Sequence, residues 1–259
     1  ALALRGTAEN SAINGGNVLV ENCVIHDEVY DLETQKSPLN GITYGDCIGV
    51  TVRGNRVENF EGSAVFTMSW WNRNTTIVDN QFLGVTNGVA LSMASAEAKP
   101  VQCPRHEDVL IAHNNIVLGA HKHAPWGTCG VSLYGGDFPA VIRMKGVHVR
   151  ENTISGSAYT DAKGNRACPL GAKIQILRAV YHDLRFEDNV LDLPDYSEAT
   201  YVPQEPFSQS MLFFPLALWE EATKAGHVLY RRNRTPNGKV LYPMLTDWYF
   251  KNAPTWGKP

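Results

Sequence analysis

Val147-His148-Val149-Arg150-Glu151-Asn152-Thr153-Ile154 carries the pattern on which the fold turns: a β-favouring apolar residue, two residues, Asn, one residue, and another apolar residue. The pattern recurs at Leu19/Asn22/Val24, Val52/Asn55/Val57, Ile77/Asn80/Phe82, Ile111/Asn114/Ile116 and Phe186/Asn189/Leu191, with a degenerate copy at Tyr230/Asn233/Thr235. Successive Asn lie 33, 25, 34, 38, 37 and 44 positions apart, so a constant core is separated by insertions of variable length. Upstream of the Asn, residues two apart are both apolar (Val50 and Val52, Val109 and Ile111, Leu184 and Phe186), which is strand alternation. Between one Asn and the next runs a second alternating stretch opened by Gly or another small residue, as in Gly41-Ile42-Thr43-Tyr44, Gly88-Val89-Ala90-Leu91-Ser92-Met93 and Gly130-Val131-Ser132-Leu133-Tyr134. Each repeat predicts about three short strands and no helix.

Composition sets the outer limits. The 259 residues are 44% hydrophobic and 19% charged, with 22 Gly and 14 Pro, which excludes disorder, collagen-like sequence and coiled coil. A formal charge of −3 argues against a dedicated nucleic-acid binder, which should carry a strong basic excess. The longest apolar run, Met211 to Trp219, is broken by Pro215 and falls far short of the roughly 18 residues of a membrane span. Five cysteines (Cys23, Cys47, Cys103, Cys129, Cys168) form no C-x-x-C pair, so neither a zinc site nor a thioredoxin-like motif is expected, and their odd number leaves the redox compartment open.

A leucine-rich repeat shares part of the pattern. Against it stand the residues three before the first apolar position (Cys47, His106, Met144, Tyr181), spacings that mostly exceed that family's roughly 20 to 29 residues, and a second β run where a helix belongs. The sequence instead resembles the right-handed parallel β-helix of the pectin-lyase-like superfamily over residues 1 to about 191, and to 235 if the degenerate copy is included. The resemblance implies an all-β fold of about seven coils. It also implies an Asn in the tight turn between the second and third strands of each coil, where Asn tolerates a left-handed backbone and its amide can bond the Asn of the next coil, about 4.8 Å away. Residues 192–259, which hold eight of the 14 prolines, read as an irregular degenerate last coil and a cap or oligomer contact, with a short helix expected over 216–226. Ala1-Leu2-Ala3-Leu4 fits a strand of a still earlier coil. A β-helix that starts in mid-coil would expose its core and a strand edge, so the chain is expected to be part of a longer polypeptide.

Register then assigns faces. With Phe66, Met68, Leu91, Met93, Leu133, Ile174 and Ile176 inward, the outward column reads Thr43, Val65, Thr67, Ala90, Ser92, Ser132, Tyr134, Lys173 and Gln175. Enzymes of the superfamily act mostly on polysaccharides bound along the first-strand sheet, and the most chemical part of that column is Tyr134 with Gln175 beside Ser132 with Lys173. His121, His123 and Trp126 fall in the loop entering this strand; Asp137, Arg143, Lys145 and Arg178 are expected in the loops leaving it. For β-elimination on a uronic acid, a cation neutralises the carboxylate and a Lys, Tyr or His takes the proton, so Lys173, Tyr134, Arg178 and His123 are the catalytic candidates. Trp70, Trp71, Trp126, Gln175, Arg143, Lys145 and Asp137 are the substrate-binding candidates. Two consecutive Trp cannot both enter a strand core; an exposed one offers a flat face to a sugar ring, although packing under a loop or a subunit accounts for it equally well. The polygalacturonase branch has an Asn-Thr-Asp motif that is absent here, and Arg143-Met144-Lys145 matches only its Arg-Ile-Lys segment. The acidic stretch Asp27, Glu28, Asp31 and Glu33 beside His26 leaves Ca²⁺ as the one cofactor open, without the tight ligand spacing of a calcium loop.

Two functions follow from the resemblance. One is a secreted enzyme that cleaves polysaccharide, a lyase more than a hydrolase. The other is a tailspike-like virion protein or adhesin, generally a homotrimer, that binds cell-surface polysaccharide or serves as a rod. Both place the chain outside the cell or on a virion surface.

Overall fold

The computed structural model describes residues 2–5, 16–26, 39–45, 47–68, 71–92, 105–119, 128–136, 142–160, 166–176, 179–194, 212–214, 226–241 and 244–245. Regular structure among them is strand throughout, and it winds over three faces. The first face comprises Leu2–Arg5, Ile42–Gly45, the later halves of Arg56–Met68 and Gln81–Ser92, then Cys129–Gly136, Leu170–Ile176, Leu212–Phe214 and Met244–Leu245. The second is a seven-stranded sheet of Gly16–Glu21, Ile48–Arg53, Trp71–Val78, Arg105–Ala112, Ile142–Arg150, Ala179–Glu187 and Val228–Arg231. The third holds Val24–His26, the early halves of Arg56–Met68 and Gln81–Ser92, Asn115–Leu118, Thr153–Gly156 and Val190–Asp192. Every pairing in these faces is parallel and joins a strand to its counterpart one repeat away, which is a parallel β-helix. Strand pairing merges the third and first faces into one twelve-stranded sheet, because Arg56–Met68 and Gln81–Ser92 cross the corner unbroken, with a register shift between Phe60 and Ser63.

The apolar pattern forms the interior because stacking aligns like positions. Val52, Ile77, Ile111, Val149 and Phe186 pair in register on the second face and are fully buried. Val57, Phe82, Ile116, Ile154 and Leu191 do the same on the third. Each buried aliphatic or aromatic side chain contributes about 1.5–3 kcal/mol of transfer free energy.

The repeated Asn builds a continuous amide ladder. Asn80 Oδ1 accepts from Asn55 N at 2.9 Å and from Asn55 Nδ2 at 3.0 Å, while Asn55 Nδ2 also donates to Val20 O at 2.9 Å. The same bonds repeat from Asn80 to Asn114, Asn152, Asn189 and Asn233. All six are buried. From Asn55 to Asn189 each side chain therefore ties three coils together, and buried amides satisfied in this way avoid the cost of stranded polar groups.

Two expectations about this ladder are corrected. Asn22 is not a rung: Glu21 pairs with Arg53, so Cys23 occupies the rung, its N donates to Asn55 Oδ1 at 3.0 Å, and its Sγ donates to Glu21 O as the other rungs donate two residues back. Leu19 and Val24 are accordingly 58% and 64% exposed while Val20 is buried, the face reversal that a one-residue slip produces. Nor does the rung Asn carry the left-handed backbone. The residue before it does: Asn22, Gly54, Asp79, His113, Glu151, Asp188 and Arg232 have φ between 53° and 64°. The geometry of the corner outweighs local preference, since His, Glu and Arg adopt αL there at a cost. A second left-handed column, Asn17, Gly49, Asn74, Asp108, Gly146 and Asp183, runs through the strands of the second face.

The face assignment also changes in one coil. Ile42 pairs with Val65 and Tyr44 with Thr67, and all four are buried, so Val65 and Thr67 point inward and Phe66 outward, the reverse of expectation. Apolar size misled there, because a Thr takes an interior place and a Phe an exterior one. The small residues that open this face have a steric cause. A Cβ on Gly130 would lie 2.6 Å from Gly171 O and 2.7 Å from Ile154 Cδ1, so the coils stack closely only without it.

Between the first and second faces the hollow holds polar groups. Asn72 Nδ2 donates to Thr67 Oγ1 at 3.1 Å and to His106 Nδ1 at 3.0 Å, which leaves the ring proton on Nε2, a buried atom with no partner. Burial pushes His106 down to about 3. The helix expected over 216–226 lies, but for Gly226, outside the described residues.

Two outcomes are expected. Asn114→Ala, which breaks the ladder at its middle, lowers the unfolding free energy by about 2–4 kcal/mol in urea titrations, whereas Asn22→Gly costs under about 0.5 kcal/mol. His106 stays neutral when folded and takes a proton when unfolded, so stability is full above pH 6.5 and falls by about 1.4 kcal/mol per pH unit toward pH 3. Urea midpoints of His106→Gln, followed over the same range, decline less steeply than those of the wild type.

Candidate functional site

The outward side of the first face is set by register alone. Thr43, Phe66, Ala90, Ser132, Lys173 and Phe213 form one column. Met68, Ser92, Tyr134 and Gln175 occupy the next positions along the same strands. The sequence thus placed Tyr134 beside Gln175 and Ser132 beside Lys173 correctly in register; for Met68, Trp71, Tyr134, Gln175 and Phe213 the backbone alone is described. Trp70, Trp126, His121, His123, Asp137, Arg178 and the acidic stretch 27–33 lie outside the described residues. Among the described residues no group of three or more His, Cys, Asp or Glu could hold a metal ion. No helix among them is long and apolar enough to cross a membrane.

Lys173 is the only cation at these ten positions; the second column continues through Gly45 to Arg5, five strands away. It is partly covered, and burial pulls its ammonium below the ordinary lysine range while the nearby Cys129 opposes that shift. Cys129 is itself buried, donates from Sγ to Val131 O at 3.0 Å, and is pushed up to about 12 by burial despite Lys173. It is a neutral thiol at physiological pH. The pair gives this face one amine that deprotonates more readily than a solvated lysine, set among Ser132 and small or apolar neighbours. Neither column carries a carboxylate, so the acid pair of a glycoside hydrolase is not built from these positions.

Arg143 and Lys145 require a correction. They are not in a loop leaving the first face but on the strand Ile142–Arg150 of the second, flanking the buried Met144 and exposed outward. There they join residues the sequence reading passed over. Arg143 pairs with Arg105, which pairs with Trp71; Lys145 pairs with Glu107, which pairs with Arg73. Glu107 is nearly covered and receives Arg73 Nε at 3.1 Å and Arg105 NH1 at 3.6 Å. Counting from the ladder would have found them, since Arg73, Glu107 and Lys145 each stand seven positions before a rung Asn.

The two faces are therefore chemically distinct. At the positions named, the first is uncharged but for one desolvated lysine, and the second is cationic. Comparison with curated proteins and with solved structures gives no match. A family model, the right handed beta helix region, matches residues 11–167, more than half of the chain and the stretch that holds the rungs from Cys23 to Asn152. Parallel coils, stacked corners and that match agree, and the chain belongs to the right-handed β-helix family.

Proposed function

We propose that the protein binds an extracellular, uronate-containing polysaccharide along the outward side of the first face and cleaves it by β-elimination, with Lys173 as the base. The observation that supports this is the position of Lys173: outward on the face, in register with Ser132 and Phe213, and desolvated enough to lower its pKa. A base must be neutral to accept a proton, and burial raises the neutral fraction at a given pH.

In the reaction, the Lys173 amine takes the proton from the carbon next to the uronate carboxylate. The electron pair forms a carbon–carbon double bond, and the glycosidic oxygen leaves with a proton supplied by Tyr134 or water. No oxidant or reductant is needed. Arg178, two positions after the strand Leu170–Ile176, is assigned to the carboxylate, whose neutralisation acidifies that proton. His123 is the alternative proton carrier, and Trp70, Trp71, Trp126, Gln175 and Asp137 are assigned to sugar binding.

A second reading is favoured by the lack, among the described residues, of any carboxylate in the two outward columns and of any cation nearer to Lys173 in them than Arg5, five strands away: a tailspike-like or adhesin β-helix, trimeric, that holds polysaccharide without cutting it. Incubation with uronate polymers, followed by ultraviolet absorbance of unsaturated ends, separates the two. Under the lyase reading Lys173→Ala lowers turnover by about 10²–10⁴-fold, and Lys173→Arg does not restore it because a guanidinium stays protonated. Wild-type turnover rises with pH through a midpoint below the 10.5 of a solvated lysine. Binding without unsaturated product from any uronate polymer supports the second reading.

A further inference from the structure

We propose that the second face carries its own binding strip for a carboxylated polysaccharide, built from Arg105, Arg143 and Lys145 and separate from the site around Lys173. The inference does not depend on cleavage. Like charges stand side by side there: Arg105 and Arg143 occupy directly paired positions on adjacent parallel strands, spaced about 4.8 Å apart. Such pairs destabilise a sheet unless something neutralises them.

The carboxylate inside the strip is already committed. Glu107 sits under Arg73 and Arg105 and is nearly covered. Arg143 and Lys145 are exposed and make no ion pair among the described residues, and Arg105 Nε is buried without a hydrogen-bond partner. An external carboxylate over Arg143, beside the half-buried Arg105, would supply the counter-charge that Arg143 lacks and that Arg105 draws only from Glu107, since a guanidinium presents a planar fork that matches the two carboxylate oxygens. Lys145, two positions along the strand from Arg143, can meet a second anionic or hydroxyl group.

Charge density selects the class of ligand. The strip is short on a chain of net charge −3, it is interrupted by Glu107, and Asp108 borders it at the corner over Gly146. A nucleic acid, with a phosphate every about 3.4 Å per strand, would bring dense negative charge against those acids. A polymer with one carboxylate per sugar and hydroxyls between fits cations that alternate with an acid. The flat, in-register strands offer a repeat close to the length of one sugar unit.

The test uses the full chain, in wild-type and Lys173→Ala backgrounds, with oligogalacturonate and alginate oligomers as probes and calorimetry as the readout. Arg143→Ala/Lys145→Ala should weaken binding by roughly tenfold or more and reduce the slope of log affinity against log salt, with the melting temperature unchanged. Arg143→Gln and Lys145→Gln singly should each give part of the loss. Methyl-esterified oligogalacturonate should bind far more weakly than the free acid. Equal affinity of the double variant and the wild type, no binding of either acid oligomer, or equal binding of single-stranded DNA would overturn the proposal. Failure of the Lys173 chemistry alone, with no unsaturated product formed, would leave these binding differences intact.

Discussion

The hydrogen-bonded column of Asn55, Asn80, Asn114, Asn152, Asn189 and Asn233 is the constraint from which the other features follow. A parallel strand needs a partner one full repeat away in sequence, and loops between repeats of different length give no help in finding it. An amide that accepts from one coil and donates to the next fixes which residue stands over which. Once the rungs are aligned, the side chains two before and two after them stack as well, and the alternation of strands carries that alignment around all three faces. The left-handed residue before each rung, including His113, Glu151 and Arg232, shows how strongly the corner is imposed. Residues with little liking for that conformation adopt it because the coils above and below leave no other.

A stack of this kind converts a one-dimensional sequence into columns of like position, and the two outer faces use those columns differently. On the first, Ala90, Ser132 and their neighbours leave a largely uncharged surface in which Lys173 is desolvated beside a neutral thiol. On the second, Arg73 and Arg105 pair with the carboxylate of Glu107, and Arg143 and Lys145 stand exposed on the next strand. The low solvation that tunes Lys173 is absent where Arg143 and Lys145 stand exposed. The two faces therefore differ in chemistry: a desolvated amine on one and exposed cations on the other.

Much of the fold was legible in the amino-acid sequence, because an Asn followed two residues later by an apolar side chain, repeated along the chain, has few other physical explanations. The first copy was misplaced by one residue, since Asn22 and Cys23 both lie at the corner and the Asn was the more conspicuous. The structure gives the rung to Cys23, whose thiol reaches the carbonyl that an amide reaches elsewhere. Phe66 was set inward on size, although a bulge between Phe60 and Ser63 shifts the phase of that strand. Arg143 and Lys145 were set in a loop because their stretch contains no repeat signal of its own, and Arg73, Arg105 and Glu107 went unremarked because charged residues two apart look like an ordinary solvated strand.

The sequence by itself determined the period, the strands and the buried rungs, since these depend on hydrophobic alternation and on one side chain that recurs at each corner. It also brought Lys173, Ser132, Tyr134 and Gln175 together, because in-register stacking needs no more than counting from Gly130 and Gly171. Only the tertiary structure decided which cations share a face. Arg73, Arg105 and Arg143 are each more than thirty residues apart in the chain, and what joins them is the height of one coil, a distance that sequence spacing does not contain when every loop has a different length.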